Sequence, residues 1–149
     1  MKINGKTITL RELSADDYDA LVRLWEEGGL PYKPRGRDTR EAFTAQLPEP
    51  TSVYLGAEVG GELAGAVLGT HDGRKGWINR LVVSPAHRRL GVGRALVDEV
   101  ERRFAELGLG IFACLIEDWN DTSAAVFERL GYRPFREVAY YTKKLNPDV

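Results

Sequence analysis

Ile8 and Leu10 alternate with polar Thr7, Thr9 and Arg11, a period of two that predicts a strand with one buried face. With a short strand before it and a turn at Asn4-Gly5, residues 2–12 open the chain in β-structure. The period then changes. Leu21, Val22, Leu24 and Trp25 recur at helical spacing behind Ser14 and Asp17, which resemble a capping box, and Gly28-Gly29 ends that helix. Asp38 with Glu41 opens a second short helix that runs to about Leu47. Two strands follow, 53–59 and 62–70, joined at Gly60-Gly61 as a two-residue hairpin, and a third at 76–83 follows the turn at Asp72-Gly73. In residues 94–107 the residues Leu96, Val100, Phe104 and Leu107 share one face, and Gly108 and Gly110 close the helix.

The continuous apolar run 111–116 predicts a strand covered on both faces and parallel to 76–83, reached by a strand–helix–strand crossover. Asn120 is placed to cap a helix that carries Ala124, Ala125, Phe127 and Leu130 and ends at Gly131. Residues 132–137 and 138–145 read as two final strands joined by a tight bend. No repeat or low-complexity segment interrupts the pattern, so one mixed α/β sheet accounts for residues 1–149.

Composition narrows the class. A chain of 149 residues is of single-domain size, and 43% hydrophobic with 29% charged residues is ordinary for a globular protein. Twenty-one basic and 22 acidic residues give a net charge of −1, so no global basic field argues for nucleic acid or an anionic membrane. Cys114 stands alone within an apolar run, which points to core packing and leaves no cysteine cluster for a metal. The first residues lack an apolar signal region, and no run approaches the roughly 20 apolar residues of a membrane span. The expectation is a cytoplasmic protein.

The chemistry concentrates at Arg88-Arg89-Leu90-Gly91-Val92-Gly93. A strand that passes through a two-glycine turn into a helix aims several free backbone N–H groups at one point, which suits phosphate oxygens. A dinucleotide fingerprint fails, because its third glycine would fall at Leu96, and a Walker-type loop fails because no Gly-Lys-Ser/Thr follows. The wider string Leu81-Val82-Val83-Ser84-Pro85-Ala86-His87-Arg88-Arg89-Leu90-Gly91-Val92-Gly93-Arg94-Ala95-Leu96 resembles motif A of the GCN5-related N-acetyltransferases, with its Arg/Gln-x-x-Gly-x-Gly/Ala core. A second string, Asn120-x-x-Ser123-Ala124-x-x-Phe127-Glu128-x-Leu130-Gly131-Tyr132, resembles their motif B. The two stand in the family's order, separated by one helix and one strand, and the resemblance extends over nearly the whole chain.

The resemblance implies an α/β domain with a mixed, mostly antiparallel sheet, flanking helices and a splayed central parallel strand pair. It implies that the pantetheine of acetyl-CoA lies in the splay along the backbone of Leu81, Val82 and Val83. The N–H groups of Arg89 to Arg94 would wrap the pyrophosphate, with Arg88 and Arg89 near the 3′-phosphate. Asn120 and Ser123 match the motif B positions beside the cofactor, and Phe127 stands where the family often carries a proton-donating tyrosine. The family's glutamates correspond to Trp77 and Leu115, neither of which accepts a proton. Glu117, expected on the same strand face as Leu115, is the substitute base, and Tyr140 or Tyr141 a substitute phenol from the last strand. Deprotonation through water remains open. His71 and His87 read as surface and packing residues.

Tyr32, Lys33, Arg35 and Arg37 in the loop 28–37 are placed to line a substrate entrance or to stand as a solvated loop. Tyr32, Trp77 and Trp119 suit either an apolar pocket or the core. The leading expectation is acetyl transfer from acetyl-CoA directly to a primary amine of a small molecule or protein. The competing one, motivated by Phe127 and the two absent glutamates, is a non-catalytic acyl-CoA-binding or interaction module. A homodimer through the sheet edge or the C-terminal strands enters by resemblance alone.

Overall fold

A computed structural model describes Lys2, Ile3 and residues 5–149. Six strands form one sheet in chain order, β1 (Lys2–Ile3), β2 (Lys6–Glu12), β3 (Ser52–Val59), β4 (Glu62–His71), β5 (Gly76–Val83) and β6 (Phe112–Ala113). Neighbours are antiparallel up to β5, and β5 pairs with β6 in parallel. The helices are α1 (Tyr18–Glu27), α2 (Arg40–Gln46), α3 (Val92–Glu106) and α4 (Asp121–Arg129). Gly60 and Gly61 both take positive φ, 62° and 82°, which the hairpin between β3 and β4 requires. The expected turn at Asn4-Gly5 has its first residue outside the described residues.

Alternation along the strands sends side chains to two separate cores. On one face Ile8, Leu55, Val67 and Ile78 meet Leu96, Val97, Val100 and Phe104 of α3 and Phe127 of α4. On the other, Leu13, Tyr54, Ala66 and Val82 meet Leu21, Leu24 and Trp25 of α1 and Phe43 of α2. Phe104 lies on a floor of glycine: a Cβ on Gly76 would stand 2.4 Å from its ring. Truncating Phe104 would therefore open a cavity at a cost of about 3–5 kcal/mol.

Three features differ from the expectation. The run 111–116 pairs only at Phe112–Ala113, and Ile111 and Leu115 are 51% and 49% exposed. The parallel pair thus closes the sheet at its end and is not central, because nothing pairs with the outer side of β6 among the described residues. Residues 132–137 and 138–145 form no strand; beyond Tyr132 the segment runs over the surface, with Arg35 and Asp148 in an exposed ion pair at 3.1 Å. A two-residue β6 is too short a template for them. Finally, α2 is capped by Thr39, whose Oγ1 accepts from the N–H of Ala42 at 3.1 Å. Asp38 instead accepts from the N–H of Lys33 at 2.7 Å.

Candidate active site

The site begins where β5 leaves its partners. On its β4 side, Ala66 faces Val82 and Leu68 faces Asn79, so Arg80 and Leu81 together stand opposite Val67 in a β-bulge. Arg80 sits there with φ 58°, a left-handed conformation that costs a non-glycine residue roughly 1–2 kcal/mol. On the other side, pairing with β6 ends after Trp77 and Ala113. Beyond that point a gap separates the strands, crossed by one hydrogen bond from the N–H of Leu115 to Oδ1 of Asn79 at 3.1 Å.

At the far end of β5 the chain makes a 3-10 turn at Pro85–His87 and enters α3 through Arg89 (φ 66°) and Gly91 (φ 81°). Arg80 and Arg89 are the two non-glycine residues with positive φ among the described residues, one in the bulge of β5 and the other in the turn into α3. The first bond of α3 runs from the N–H of Ala95 to the carbonyl of Gly91 at 3.0 Å. The N–H groups of Leu90, Gly91, Val92, Gly93 and Arg94 find no acceptor among the described residues. Alternating left- and right-handed residues turn successive N–H groups toward one concavity, an anion-binding arrangement that the helix dipole strengthens.

Gly93 is not a position that packing reserves for glycine. A Cβ there would lie 3.6 Å from Val83 Cγ2 and 3.9 Å from both Leu81 Cδ2 and Val126 Cγ1, ordinary contact distances with room to spare. Nothing in the packing requires glycine at the second residue of α3, where alanine is the better helix former. The free N–H groups, the exposed arginines and the open edge of β5 are the chemistry that an anionic, strand-like ligand needs. An acyl-CoA pyrophosphate and its pantetheine therefore fit the residues present.

The expected site residues divide. Leu81 and Val83 are half-buried beside Gly93, while the side chain of Val82 is buried against α1 and only its backbone borders β5's free edge. Arg88, Arg89 and Arg94 are exposed around the turn, and Arg88 Nε donates to the carbonyl of Val83 at 3.3 Å. Leu90 packs on the core. Asn120 caps α4, its Oδ1 accepting from the N–H of Ser123 at 3.1 Å, and its carboxamide nitrogen is left to donate elsewhere. Phe127 is 3% exposed, its ring edge-on to Tyr132 at 5.0 Å. It supports the cleft from within the core and does not line it, because its position on α4 turns inward. Glu117 is exposed in the turn that precedes α4, where its carbonyl accepts from the N–H of Asn120. Since regular strand ends at Ala113, its pairing with Leu115 on one strand face does not hold. Tyr140 and Tyr141 are 72% and 91% exposed on the unpaired segment and reach the gap from no strand.

His71 packs edge-on to Phe104 and accepts from the N–H of Gly73, and His87 Nδ1 lies 3.2 Å from Ser84 Oγ. Burial pushes the half-buried Cys114 thiol up to about 11, so it stays protonated and unreactive near neutral pH.

Sequence patterning missed three residues. Val126 of α4 stands beside Gly93, its Cγ1 3.9 Å from where a Cβ would be. Asn79 spans the gap, and Arg80 reaches the opposite face, where its guanidinium lies 4.5 Å over the Trp25 ring. There Arg80 donates to the carbonyl of Pro31 at 2.6 Å and stands 3.7 Å from Asp38. It pins the loop 31–38 to the sheet, and with it Tyr32, whose hydroxyl donates to Glu26 and whose ring lies 5.5 Å from Trp25. Trp77, half-buried under Lys75 Nζ at 5.3 Å, and the exposed Trp119 both lie outside the core. Only the two strained dihedrals would have drawn attention to this corner, and no composition rule reveals them.

The family model described as "Acetyltransferase (GNAT) family" matches residues 10–132. This chain belongs to the GNAT acetyltransferase family. An acetyltransferase of Pectobacterium atrosepticum is 30% identical over 123 residues, covering 83% of this chain and 86% of that one. Among solved structures, an aminoglycoside acetyltransferase from an uncultured soil metagenomic sample, in complex with trehalose, superposes with a TM-score of 0.77 at 16% identity, over 93% of this chain and 97% of that one. The PaiA N-acetyltransferase of Thermoplasma acidophilum, in complex with coenzyme A, superposes with a TM-score of 0.77 at 18% identity, over 85% and 90%. At such identities the likeness concerns the fold. Membership makes this GNAT chain an acetyltransferase, with acetyl-CoA as co-substrate.

Proposed function

We propose that this GNAT chain transfers an acetyl group from acetyl-CoA directly to a primary amine of a small molecule or protein. The observation that carries the reading is the turn at Leu90 to Arg94: five N–H groups without an acceptor among the described residues, beside the left-handed Arg89 and Gly91. In this reading those N–H groups hold the pyrophosphate, and exposed Arg88, Arg89 and Arg94 add positive field. The free edge of Leu81, Val82 and Val83 pairs with the pantetheine as with a further strand. Asn120 and Ser123 donate from the start of α4, while Phe127 holds that helix against the core.

When bound, the thioester supplies an activated acetyl carbonyl; the chain's residues supply orientation and proton management. Glu117, the carboxylate between β6 and α4, accepts the amine's proton directly or through water. Tyr140 and Tyr141 are not assigned the leaving-group proton, because they stand on the unpaired segment. The acceptor enters from the face of α1 and α2, past Tyr32, Lys33 and Trp77. This activity belongs in the cytoplasm, where the donor circulates. A homodimer is part of the proposal, supported by Phe135, Val138, Tyr140, Tyr141 and Leu145, all large, apolar or aromatic and well exposed on one segment.

Calorimetric titration with acetyl-CoA tests the concavity. The wild type is expected to bind, and Gly91→Val, which forces a β-branched residue into a left-handed dihedral, to lose affinity by at least about tenfold with its circular dichroism intact. No heat with the wild type, or undiminished affinity in the folded variant, contradicts the reading. Binding in which no amine raises thiol release would favour the binding-module alternative, which the core placement of Phe127 otherwise leaves without a role for that ring.

A further inference from the structure

Parallel pairing between β5 and β6 stops at Trp77 and Ala113, although the apolar run continues to Ile116. Leu115, two residues past the last pair, carries the next N–H in line to donate to β5. It is met by the side-chain Oδ1 of Asn79, 3.1 Å away, in place of a main-chain carbonyl of β5. A carboxamide in that place holds the strands apart by the length of an asparagine side chain. The ladder cannot close further, and β6 cannot drift away.

The orientation of the carboxamide follows from its partner. A backbone N–H only donates, so the oxygen faces Leu115 and the NH2 group turns elsewhere. That NH2 finds no acceptor among the described residues, and Asn79 is half-buried at the mouth of the gap, one residue from the left-handed Arg80. Two functions thus meet in one side chain, a spacer and a free donor.

We propose that Asn79 is a positioning residue of the transfer reaction, its oxygen fixing the width of the gap and its NH2 orienting the acyl carbonyl of the bound thioester. The inference rests on the acetyl-CoA reading of the gap. It separates the acyl end of the donor, which Asn79 senses, from the pyrophosphate end, which the turn at Leu90 to Arg94 holds. CoA, which lacks the acyl carbonyl, is the natural control.

Hydrogen exchange and calorimetry on the full chain test both halves. In Asn79→Ala without ligand, the Leu115 amide is expected to exchange at least about tenfold faster, as for loss of one hydrogen bond, with α3 amides unchanged. Asn79→Asp retains an acceptor for Leu115 and loses the donor. It is expected to keep Leu115 protected and to bind acetyl-CoA about tenfold more weakly, with CoA affinity within about threefold of wild type. Unchanged Leu115 exchange in Asn79→Ala overturns the spacer, and equal losses for CoA and acetyl-CoA in Asn79→Asp overturn the donor. If wild type binds neither ligand, the acetyl-CoA reading and the donor role both fail, while exchange at Leu115 still decides the spacer.

Discussion

Gly93→Ala separates folding from binding. Gly93 is the second residue of α3, does not adopt a positive φ, and its added Cβ would meet Val83, Leu81 and Val126 only at 3.6–3.9 Å. Alanine therefore fits without strain, and reducing the freedom of the unfolded chain should stabilise the protein by about 0.4–1 kcal/mol. For a chain of this size that raises the melting midpoint by roughly 1–4 °C. The same methyl meets those three side chains, and the motif that this stretch resembles takes glycine or alanine here, so the N–H groups of Val92, Gly93 and Arg94 stay open to an anion. Losing even one hydrogen bond to a charged oxygen would cost about 1.5–3 kcal/mol, or roughly ten- to a hundredfold in affinity, so affinity within about threefold of wild type is the expected result. Thermal melting and acetyl-CoA calorimetry on the same sample read both effects. A tenfold or greater loss of affinity in the variant would refute the claim that the methyl leaves those N–H groups open, and a lowered midpoint would refute the claim that packing accommodates it.

Arg80→Ala removes the cation facing Asp38 and the anchor on Pro31, and should cost about 2–4 kcal/mol in urea unfolding. Arg80→Gly should recover about 1 kcal/mol of that by relieving the left-handed dihedral, and a variant as stable as wild type would contradict the pinned-loop description. Glu99, hydrogen-bonded by Arg102 and Arg103, has its carboxyl lowered from 4.5 to about 2. The folded state therefore favours the charged form, so this contribution is present above about pH 4.5 and lost as pH falls toward 2. The stability gap between wild type and Glu99→Gln should shrink over that interval, and a pH-independent gap would contradict it. Light scattering should find a homodimer that Tyr141→Glu dissociates; a wild-type monomer would show that the exposed aromatic segment serves no self-association.

Local chemistry made most of the fold legible. Gly60-Gly61 announces its hairpin because both residues need positive φ, and Asn120 announces α4 because its oxygen satisfies a donor three residues away. The faces of α1 and α3 follow from apolar spacing that the two cores then bury, except at Leu107, which caps α3 and stays exposed. What patterning lacks is the partner. The run 111–116 is apolar enough for a two-sided strand, yet at the sheet's end Ile111 and Leu115 stay exposed. Residues 132–145 likewise look like strands, and the two-residue β6 is too short an edge for them to join. Phe127 matched a cofactor position by its place in a motif, but α4's rotation turned it into the core. Asn79 acts on a residue 36 positions away, so no local window contains both members of the contact.

The central claim is that this GNAT chain holds acetyl-CoA in the gap beside β5 and gives its acetyl group to an amine. Free-thiol release should be followed with acetyl-CoA and a panel of aminoglycosides, amino acids and peptides, with the mass of each acceptor recorded. The expected result is thiol release that depends on one class of amine and matches, mole for mole, an acceptor heavier by one acetyl group. Tight binding of acetyl-CoA with no thiol release above background for any amine would contradict it.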